Sequence, residues 1–372
     1  MKVRHLLLAT GIYPPDIGGP ARVARILAEG CPAFGVRVRV ANFSPLTRDP
    51  WGIRHVRYLV QLLAARPTPE AVLALDPISS GLPAWFAASL RGVPFIVRIG
   101  GDYAWEQATE RFHVVSSQEL FHRRRWGWRV DSLAWLERWV ARRARLVITP
   151  SEALEQQVVR WGVPSDRVVR IPNAVVLPGN LTDRAQARQS LHIKGRLILS
   201  IGRLMRFKNH EAVIESVASL RTSQPDLHLV ILGDGPHGPA LARLVEQLGM
   251  QPSSVLLGRV GQEAVFHYLR AADLFVMGSS AEGMSHALLE AMAAGTPVIA
   301  TDIPGNRALI DHLETGWLVP VGDREALRAA IVRLLAEPAL ANRLANRAQQ
   351  KAQTYGSRQL VQATVAALEQ AL

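Results

Sequence analysis

The chain has 372 residues, of which 48% are hydrophobic, so it is long enough for two domains with their own cores. Its formal net charge is +12 at pH 7, and its single cysteine, Cys31, excludes an internal disulfide and disfavours a zinc site. The most apolar stretch, residues 82–99, is interrupted by Arg91 and Arg98, which argues against a membrane span. These features predict a globular, cytoplasmic protein.

Short apolar runs alternate with helix-length segments in the first half of the chain, which is typical of a parallel sheet covered by helices. Strands are predicted at residues 3–9, 36–42, 71–75, 94–99, 146–149 and 168–171. Helices are predicted at residues 21–28, 81–90, 132–143 and 151–161. The sequence therefore predicts an N-terminal domain over residues 1–180, ending in a polar connection that begins at Pro178.

A basic segment over residues 121–145 carries eight arginines against two acidic residues. It also contains four tryptophans, Trp126, Trp128, Trp135 and Trp139. This mixture suits an anionic membrane surface, where arginines meet phosphates and indoles rest at the interface. An ordinary helix with an arginine-rich outer face remains an open alternative, whereas no signature of a nucleic-acid module accompanies the segment.

The alternation of strands and helices restarts at Arg196. Strands are predicted at residues 196–202, 227–233, 254–258, 273–278 and 296–301, with helices beginning at His210, Gly238, Gln262 and Ser285. The sequence thus predicts an α/β fold of two doubly wound, Rossmann-like domains that face each other across a cleft, the second covering residues 181–350. Ligands of such sheets bind beyond the carboxyl ends of the strands, in the strand-to-helix loops.

Glu282 and Glu290 flank the start of the predicted helix at Ser285. Eight residues along a helix would rotate one glutamate about 80° from the other and raise it about 12 Å, so we place Glu282 on the loop and Glu290 in the helix. The first free amides of the helix, near Met284 and Ser285, form an anion site between them. Glutamates favoured by the helix dipole alone remain the alternative.

Other strand-to-helix loops are rich in glycine and in positive charge. Glycines that permit a tight turn or close approach to a ligand are Gly18, Gly19, Gly202, Gly233 and Gly258. Arg203 and Lys208 are placed to converge on a pyrophosphate, and Arg259 with Gly258 is placed to hold a flat base. Plain turns with solvated cations are the alternative for each loop taken singly.

Four segments together resemble glycosyltransferase family 4, the group 1 retaining enzymes of the GT-B fold. They are GRL with Lys208, GDGP at 233–236, the Glu282 to Glu290 pair followed by AMAAGTPVIA, and TGWLVP at 315–320. The resemblance covers most of the chain. It implies a nucleoside diphosphate sugar donor of the UDP or GDP type, no cofactor and no metal ion, and a last helix, residues 351–372, that crosses back to the first domain.

The resemblance also implies a role for the residues of each loop. Arg203 and Lys208 would neutralise the donor diphosphate, which also meets the amides near Gly283, Met284 and Ser285, with His286 beside them. Glu290 would hold the ribose hydroxyls and Glu282 the donor sugar. The Gly18–Gly19 loop would close on the phosphates from the first domain.

One position departs from the family, because many relatives have a histidine after the fourth strand and this chain has GGDY instead. Asp102 is the candidate to face the sugar or the acceptor hydroxyl, with Arg98 as its partner. A cap of the following turn is the equal alternative for Asp102.

The resulting prediction is a retaining, metal-independent glycosyltransferase that acts on a glycan or lipid-linked acceptor in the synthesis of cell-surface polysaccharide or glycolipid. It would work in the cytoplasm, with peripheral contact to the inner membrane face and no nucleic-acid partner. The missing histidine keeps a noncatalytic sugar-nucleotide or glycan-binding protein of the same fold open as the alternative.

Overall fold

The computed structural model describes residues 2–179, 181–251 and 253–372. Asn180, in the predicted interdomain connection, lies outside the described residues. The chain divides into two compact units. Unit 1 contains the residues up to Ala174 together with Gly356–Leu372, and unit 2 contains Val175–Tyr355.

Unit 1 is built on a parallel sheet of six described strands in the order β2-β1-β3-β4-β5-β6. The strands are β1 (His5–Thr10), β2 (Arg37–Asn42), β3 (Ala71–Ala74), β4 (Phe95–Arg98), β5 (Leu146–Thr149) and β6 (Val168–Arg170). Its helices before residue 175 are α1 (Gly19–Gly30), α2 (Trp51–Leu63), α3 (Gly81–Arg91), α4 (Tyr103–Arg111), α5 (Gln118–Arg123), α6 (Trp128–Arg143) and α7 (Glu152–Arg160). Helices cover both faces of the sheet, because successive residues of β1 such as Leu6 and Leu7 enter different hydrophobic clusters.

Unit 2 is built on a second parallel sheet, in the order β12-β11-β10-β7-β8-β9. The strands are β7 (Arg196–Ile201), β8 (Leu227–Leu232), β9 (Ser254–Gly258), β10 (Leu274–Met277), β11 (Val298–Thr301) and β12 (Trp317–Val319). The helices are α8 (Arg184–Ser190), α9 (His210–Leu220), α10 (Gly238–Gln247), α11 (Gln262–Ala271), α12 (His286–Ala293), α13 (Pro304–Arg307), α14 (Arg324–Ala336) and α15 (Pro338–Ala352). This is the Rossmann strand order, which reverses between β7 and β10 and opens a ligand crevice at their carboxyl ends.

The last helix, α16 (Ser357–Ala371), belongs to unit 1. Its buried residues Leu360, Val361 and Leu368 join the same hydrophobic cluster as Val23 and Leu27 of α1. The C-terminal segment is therefore part of the core of unit 1.

The predicted α/β class with two doubly wound halves is confirmed, and each predicted strand has a counterpart within two residues of its predicted start. The sequence prediction omitted α2, in which Tyr58 and Leu62 are buried whereas Val56 and Val60 are exposed. It also missed the short helices α4, α5 and α8 and the three-residue strand β12, which are too short to show a period.

Candidate active site

The crevice between β7 and β10 is bounded by loops that pack backbone against backbone. The Gly202 amide donates to the Leu232 carbonyl at 3.0 Å, and the Gly233 amide donates to the Gly258 carbonyl at 2.8 Å. Gly233 has φ 143°, and a Cβ at this position would lie 1.8 Å from the Gly202 carbonyl oxygen. A Cβ at Gly235 would lie 2.5 Å from the Leu204 carbonyl oxygen. The GDGP motif is thus required for the two loops to meet.

Lys208 and Glu282 join the two loops of the crevice. The Lys208 ammonium lies 2.6 Å from Glu282 Oε1, with side chains only 16% and 9% exposed. Ser279 Oγ donates to the same carboxylate oxygen at 2.8 Å. The structure therefore brings together a cation and a carboxylate that the sequence places 74 residues apart.

The start of α12 has the predicted form. Ser285 is the N-cap residue, and its Oγ accepts a hydrogen bond from the Leu288 amide at 3.3 Å. Met284 is buried, whereas Gly283 and His286 are half-buried. The helix ends before Gly295, which has φ 74°. The prediction that Glu282 lies on the loop and Glu290 inside the helix is confirmed.

Glu290 is buried in α12, with 2% of its surface exposed. The Gln262 amide nitrogen, at the start of α11, donates to Glu290 Oε1 at 2.7 Å. Sequence reasoning missed Gln262, because its partner lies 28 residues away on a different helix. The carboxylate is held in one orientation at the carboxyl edge of the sheet.

Two further predicted cations lie at the surface. Arg203 is exposed on the loop after β7. Arg259 follows β9, and its Nε lies 3.1 Å from Asp234 Oδ2 in an exposed ion pair. That pair connects the loops after β8 and β9, next to the contact between Gly233 and Gly258.

His210, at the start of α9, was also missed by sequence reasoning. It is buried, and its Nδ1 lies 3.1 Å from Ser200 Oγ. Burial and, as a smaller cause, the charge of Lys208 lower the pKa of this imidazole to about 4. A neutral ring therefore lies close to the loop at Gly202, where a Cβ would be 3.6 Å from His210 Nε2.

In unit 1, Gly18 and Gly19 lie at the start of α1. Gly18 is the N-cap residue, and its carbonyl accepts a hydrogen bond from the Arg22 amide at 3.1 Å. A Cβ at Gly18 would lie 2.7 Å from Ile12 Cδ1, so the loop packs tightly on its own side chains.

Asp102 lies at the carboxyl end of β4 and is 2% exposed. Its Oδ1 accepts from the Trp105 amide at 3.0 Å as the N-cap of α4, and its Oδ2 pairs with His122 Nε2. Arg138 donates to His122 Nδ1 at 2.8 Å, which fixes the tautomer with a proton on Nε2. Both oxygens of Asp102 are occupied within unit 1, and its catalytic role stays a prediction.

Arg98 does not pair with Asp102. Its buried guanidinium donates to the Ile171 carbonyl at 2.8 Å and to Asn173 Oδ1 at 3.0 Å. Burial lowers its pKa to about 10. The side chain that pairs with Asp102 is instead His122. Glu137 of α6 lies near Asp102, and its carboxylate accepts from the amides of residues 103 and 104. Burial, and then the charge of Asp102, raise the pKa of Glu137 well above its ordinary value.

Two features are absent from the described part of the chain. No group of three or more histidine, cysteine, aspartate or glutamate side chains is placed to hold a metal ion there. None of the described helices is long and apolar enough to cross a membrane.

Two family profiles match the chain, one in each unit. The profile described as "Glycosyl transferase 4-like domain" matches residues 18–174, and that described as "Glycosyl transferases group 1" matches residues 183–351. The chain belongs to the group 1 glycosyltransferases. The family and the transferase class expected from the four motifs are thereby confirmed.

Three curated relatives of this glycosyltransferase are transferases with different names. It is 28% identical over 71% of its length to the alpha-D-kanosaminyltransferase of Streptomyces kanamyceticus and covers 67% of that protein. It is 32% identical over 49% of its length to the lipopolysaccharide core biosynthesis glycosyltransferase LpsE of Rhizobium meliloti and covers 52% of it. It is 30% identical over 57% of its length to the Campylobacter jejuni N-acetylgalactosamine-N,N'-diacetylbacillosaminyl-diphospho-undecaprenol 4-alpha-N-acetylgalactosaminyltransferase and covers 57% of it. The chain thus spans about half to two thirds of these relatives.

Two solved structures share the fold over nearly the whole chain. Anabaena HepE, solved with UDP and glucose, matches with a TM-score of 0.75 and 18% identity over 99% of both chains. Sucrose-phosphate synthase from Thermosynechococcus elongatus matches with a TM-score of 0.81 and 22% identity over 98% of both chains. At these identities the likeness shows the fold.

Proposed function

We propose that the protein is a retaining glycosyltransferase that moves a sugar from a nucleoside diphosphate sugar, of the UDP or GDP type, to a glycan or lipid-linked acceptor. The observation that carries the proposal is the Lys208–Glu282 pair at the strand-order reversal of unit 2. The names of relatives in lipopolysaccharide and diphospho-undecaprenol chemistry support an acceptor used for cell-surface polysaccharide or glycolipid.

The proposed reaction breaks the bond between the anomeric carbon of the sugar and a phosphate oxygen. Negative charge then develops on the leaving diphosphate and positive charge on the sugar ring, so preorganised cations and helix amides lower the barrier. Lys208 and Arg203 supply the cations, and the amides near Gly283–Ser285 at the start of α12 supply the donors.

The ion pair at the crevice suggests how the donor is received. Without a ligand, Lys208 and Glu282 neutralise each other at 2.6 Å. A bound diphosphate attracts the Lys208 ammonium, and the sugar hydroxyls replace it as hydrogen-bond partners of Glu282. Glu290, oriented by Gln262, takes the ribose hydroxyls.

Retention of configuration requires the acceptor hydroxyl to attack the anomeric carbon on the same face of the sugar ring from which the leaving group departs. The proton acceptor in this proposal is an oxygen of the donor phosphate. Asp102 is not assigned that step here, because its Oδ1 and Oδ2 are occupied by the Trp105 amide and by His122.

Calorimetric titration with UDP and with GDP tests the donor site. Lys208→Ala should raise the dissociation constant of the preferred nucleotide about 30-fold, the loss expected for a hydrogen bond to a charged group. The matched control is Lys194→Ala, because Lys194 is also in unit 2 but is exposed and forms no ion pair with a described residue. Equal binding by Lys208→Ala and wild type would overturn the proposed site.

A transfer assay with radiolabelled UDP- and GDP-sugars and a panel of polyprenyl diphosphate and oligosaccharide acceptors tests turnover. Lys208→Ala should lower the rate by about 100- to 1,000-fold, as expected when one preorganised charge on the transition state is lost. Nucleotide binding without transfer to any acceptor would favour the noncatalytic sugar-nucleotide-binding alternative.

A further inference from the structure

Large apolar side chains are exposed on α3 and α6 of unit 1. Trp128 is 78% exposed and Trp135 is 57% exposed on α6, whereas Leu90 is 71% and Phe86 44% exposed on α3. Residues 128 and 135 are about two turns apart, so they lie on the same side of α6. Residues 86 and 90 are about one turn apart and lie on the same side of α3. Four large apolar groups exposed on two packed helices are unusual for a surface with no ligand.

Ring contacts join Phe86 of α3 to Trp135 of α6 through Trp85 and Trp139. Phe86 contacts Trp85 at 4.8 Å between ring centroids, Trp85 contacts Trp139 at 4.8 Å, and Trp139 contacts Trp135 at 6.2 Å. The Arg143 guanidinium lies 3.7 Å from the centroid of Trp139, which holds its charge at the same surface. We call this surface, formed by Phe86, Leu90, Trp128, Trp135, Trp139 and Arg143, the α3–α6 face.

The positive charge around the α3–α6 face has little acidic compensation. Exposed arginines on and beside it that form no ion pair with any described residue are Arg124, Arg125, Arg129, Arg142 and Arg143. The two acidic residues of this segment are used elsewhere: Glu137 is fully buried against the start of α4, and Asp131 accepts from the Trp126 amide at 3.0 Å. The segment therefore presents its arginines to an external anion.

We propose that unit 1 docks on an anionic lipid bilayer through the α3–α6 face. Tryptophans and arginines together match the interfacial region of a bilayer, where indoles rest at headgroup level and guanidinium groups bind lipid phosphates. Leu90 favours a bilayer over a nucleic-acid strand, because an aliphatic side chain enters hydrocarbon but cannot stack on bases as an aromatic ring does. The inference deepens the proposed function and rests on it only in that a lipid-linked acceptor gives the docking its purpose.

Vesicle flotation tests the proposal with the full chain. Wild type should float with vesicles of phosphatidylcholine and phosphatidylglycerol in equal parts, and not with phosphatidylcholine alone. Arg124→Ala with Arg125→Ala should weaken partitioning about 30-fold, since each basic residue near an anionic surface contributes about fivefold. Trp128→Ser with Trp135→Ser should weaken it about tenfold through lost apolar burial.

Matched pairs of variants in unit 2 serve as controls. Arg243→Ala with Arg343→Ala removes two exposed arginines, and Leu248→Ser with Leu257→Ser removes two exposed apolar side chains. Both should float like wild type. Equal flotation of the arginine pair, or of the tryptophan pair, and wild type would overturn the α3–α6 face as the docking surface.

Three measurements on the same preparations complete the test. Retained UDP or GDP binding shows that a loss of flotation belongs to the surface and not to misfolding, and circular dichroism melts check unit 1. Wild type that binds the nucleotide but fails to float overturns this inference and leaves the donor site standing, whereas flotation without nucleotide binding does the reverse. Tighter binding to a single-stranded oligonucleotide than to the vesicles would also overturn it.

Discussion

The buried imidazole beside the donor loop makes the stability of unit 2 depend on pH. The pKa of His210 is lowered to about 4 by burial and by the Lys208 charge, whereas an unfolded histidine titrates near about 6.5. At a pH between these two pKa values, the histidine binds a proton in the unfolded chain but not in the folded chain. Stability therefore falls as pH drops through the window from about 6.5 to 4 and is fully retained above it.

The size of this effect follows from the separation of the two pKa values. A difference of one in pKa corresponds to about 1.4 kcal/mol. The difference of about 2.5 between the folded and unfolded chain therefore lowers the free energy of unfolding by about 3 kcal/mol once the pH is below both pKa values. Between pH 7 and pH 5 the free energy of unfolding falls by about 2 kcal/mol, because the pH range from about 6.5 down to 5, about 1.5 on the pH scale, lies between the two pKa values. That is a large part of the stability of an ordinary domain.

The measurement is pulse proteolysis in urea at the two pH values, with peptides from β7 and β8 followed so that unit 2 is observed by itself. His210→Gln should remove the extra loss, because glutamine keeps a polar partner for Ser200 but does not titrate. His228→Gln, a change at a half-buried histidine of β8, is the control. The reasoning is refuted if wild type and His210→Gln lose the same free energy of unfolding between pH 7 and pH 5.

Two other substitutions and one truncation test single elements of the structure. Gly233→Ala should cost about 4 kcal/mol in unit 2 because its Cβ would meet the Gly202 carbonyl, whereas Gly261→Ala, into open space, should cost under about 1 kcal/mol; similar costs would contradict the loop packing. Asp102→Ala should cost about 1–2 kcal/mol as a lost helix cap and change transfer less than tenfold, so a thousandfold loss of rate with unchanged melting would return Asp102 to catalysis. A chain ending at Tyr355 should lose the cooperative melting of unit 1 while unit 2 still binds nucleotide, and unchanged melting of unit 1 would contradict the packing of α16.

Most of the fold follows from local sequence because both sheets are parallel and buried on both faces. Strands such as β10, with LFVM, are continuous apolar runs that stand out from the amphipathic helices between them. The strand order is less visible. That β7 lies beside β10 and not only beside β8 depends on long-range pairing, which the period of a sequence does not show.

The residues of the candidate site also divide into those that local sequence predicts and those that depend on long-range contacts. Ser285 as a helix cap and Gly233, with φ 143°, were predictable, because each residue type answers a local backbone need. Partners across the fold were not. His122 reaches Asp102 from 20 residues away and Gln262 reaches Glu290 from another helix, and no local pattern marks either residue.

Positive charge is paired and shielded at the donor site of unit 2 but exposed on unit 1. Added salt should therefore affect nucleotide binding and vesicle binding to different extents. In unit 2, Lys208 is paired with Glu282 at 2.6 Å and is largely shielded from solvent, so added salt screens it weakly. Beside the α3–α6 face of unit 1, arginines such as Arg124 and Arg125 are exposed and form no ion pair with a described residue. Their attraction to lipid should therefore fall steeply as the Debye length shrinks from about 10 Å at 0.1 M to about 3 Å at 1 M salt. Raising salt over that range should abolish vesicle flotation while nucleotide affinity falls far less. A parallel decline of both would show that the net charge of +12 acts on the two sites alike, and that the internal pairing at Lys208 does not protect the donor crevice.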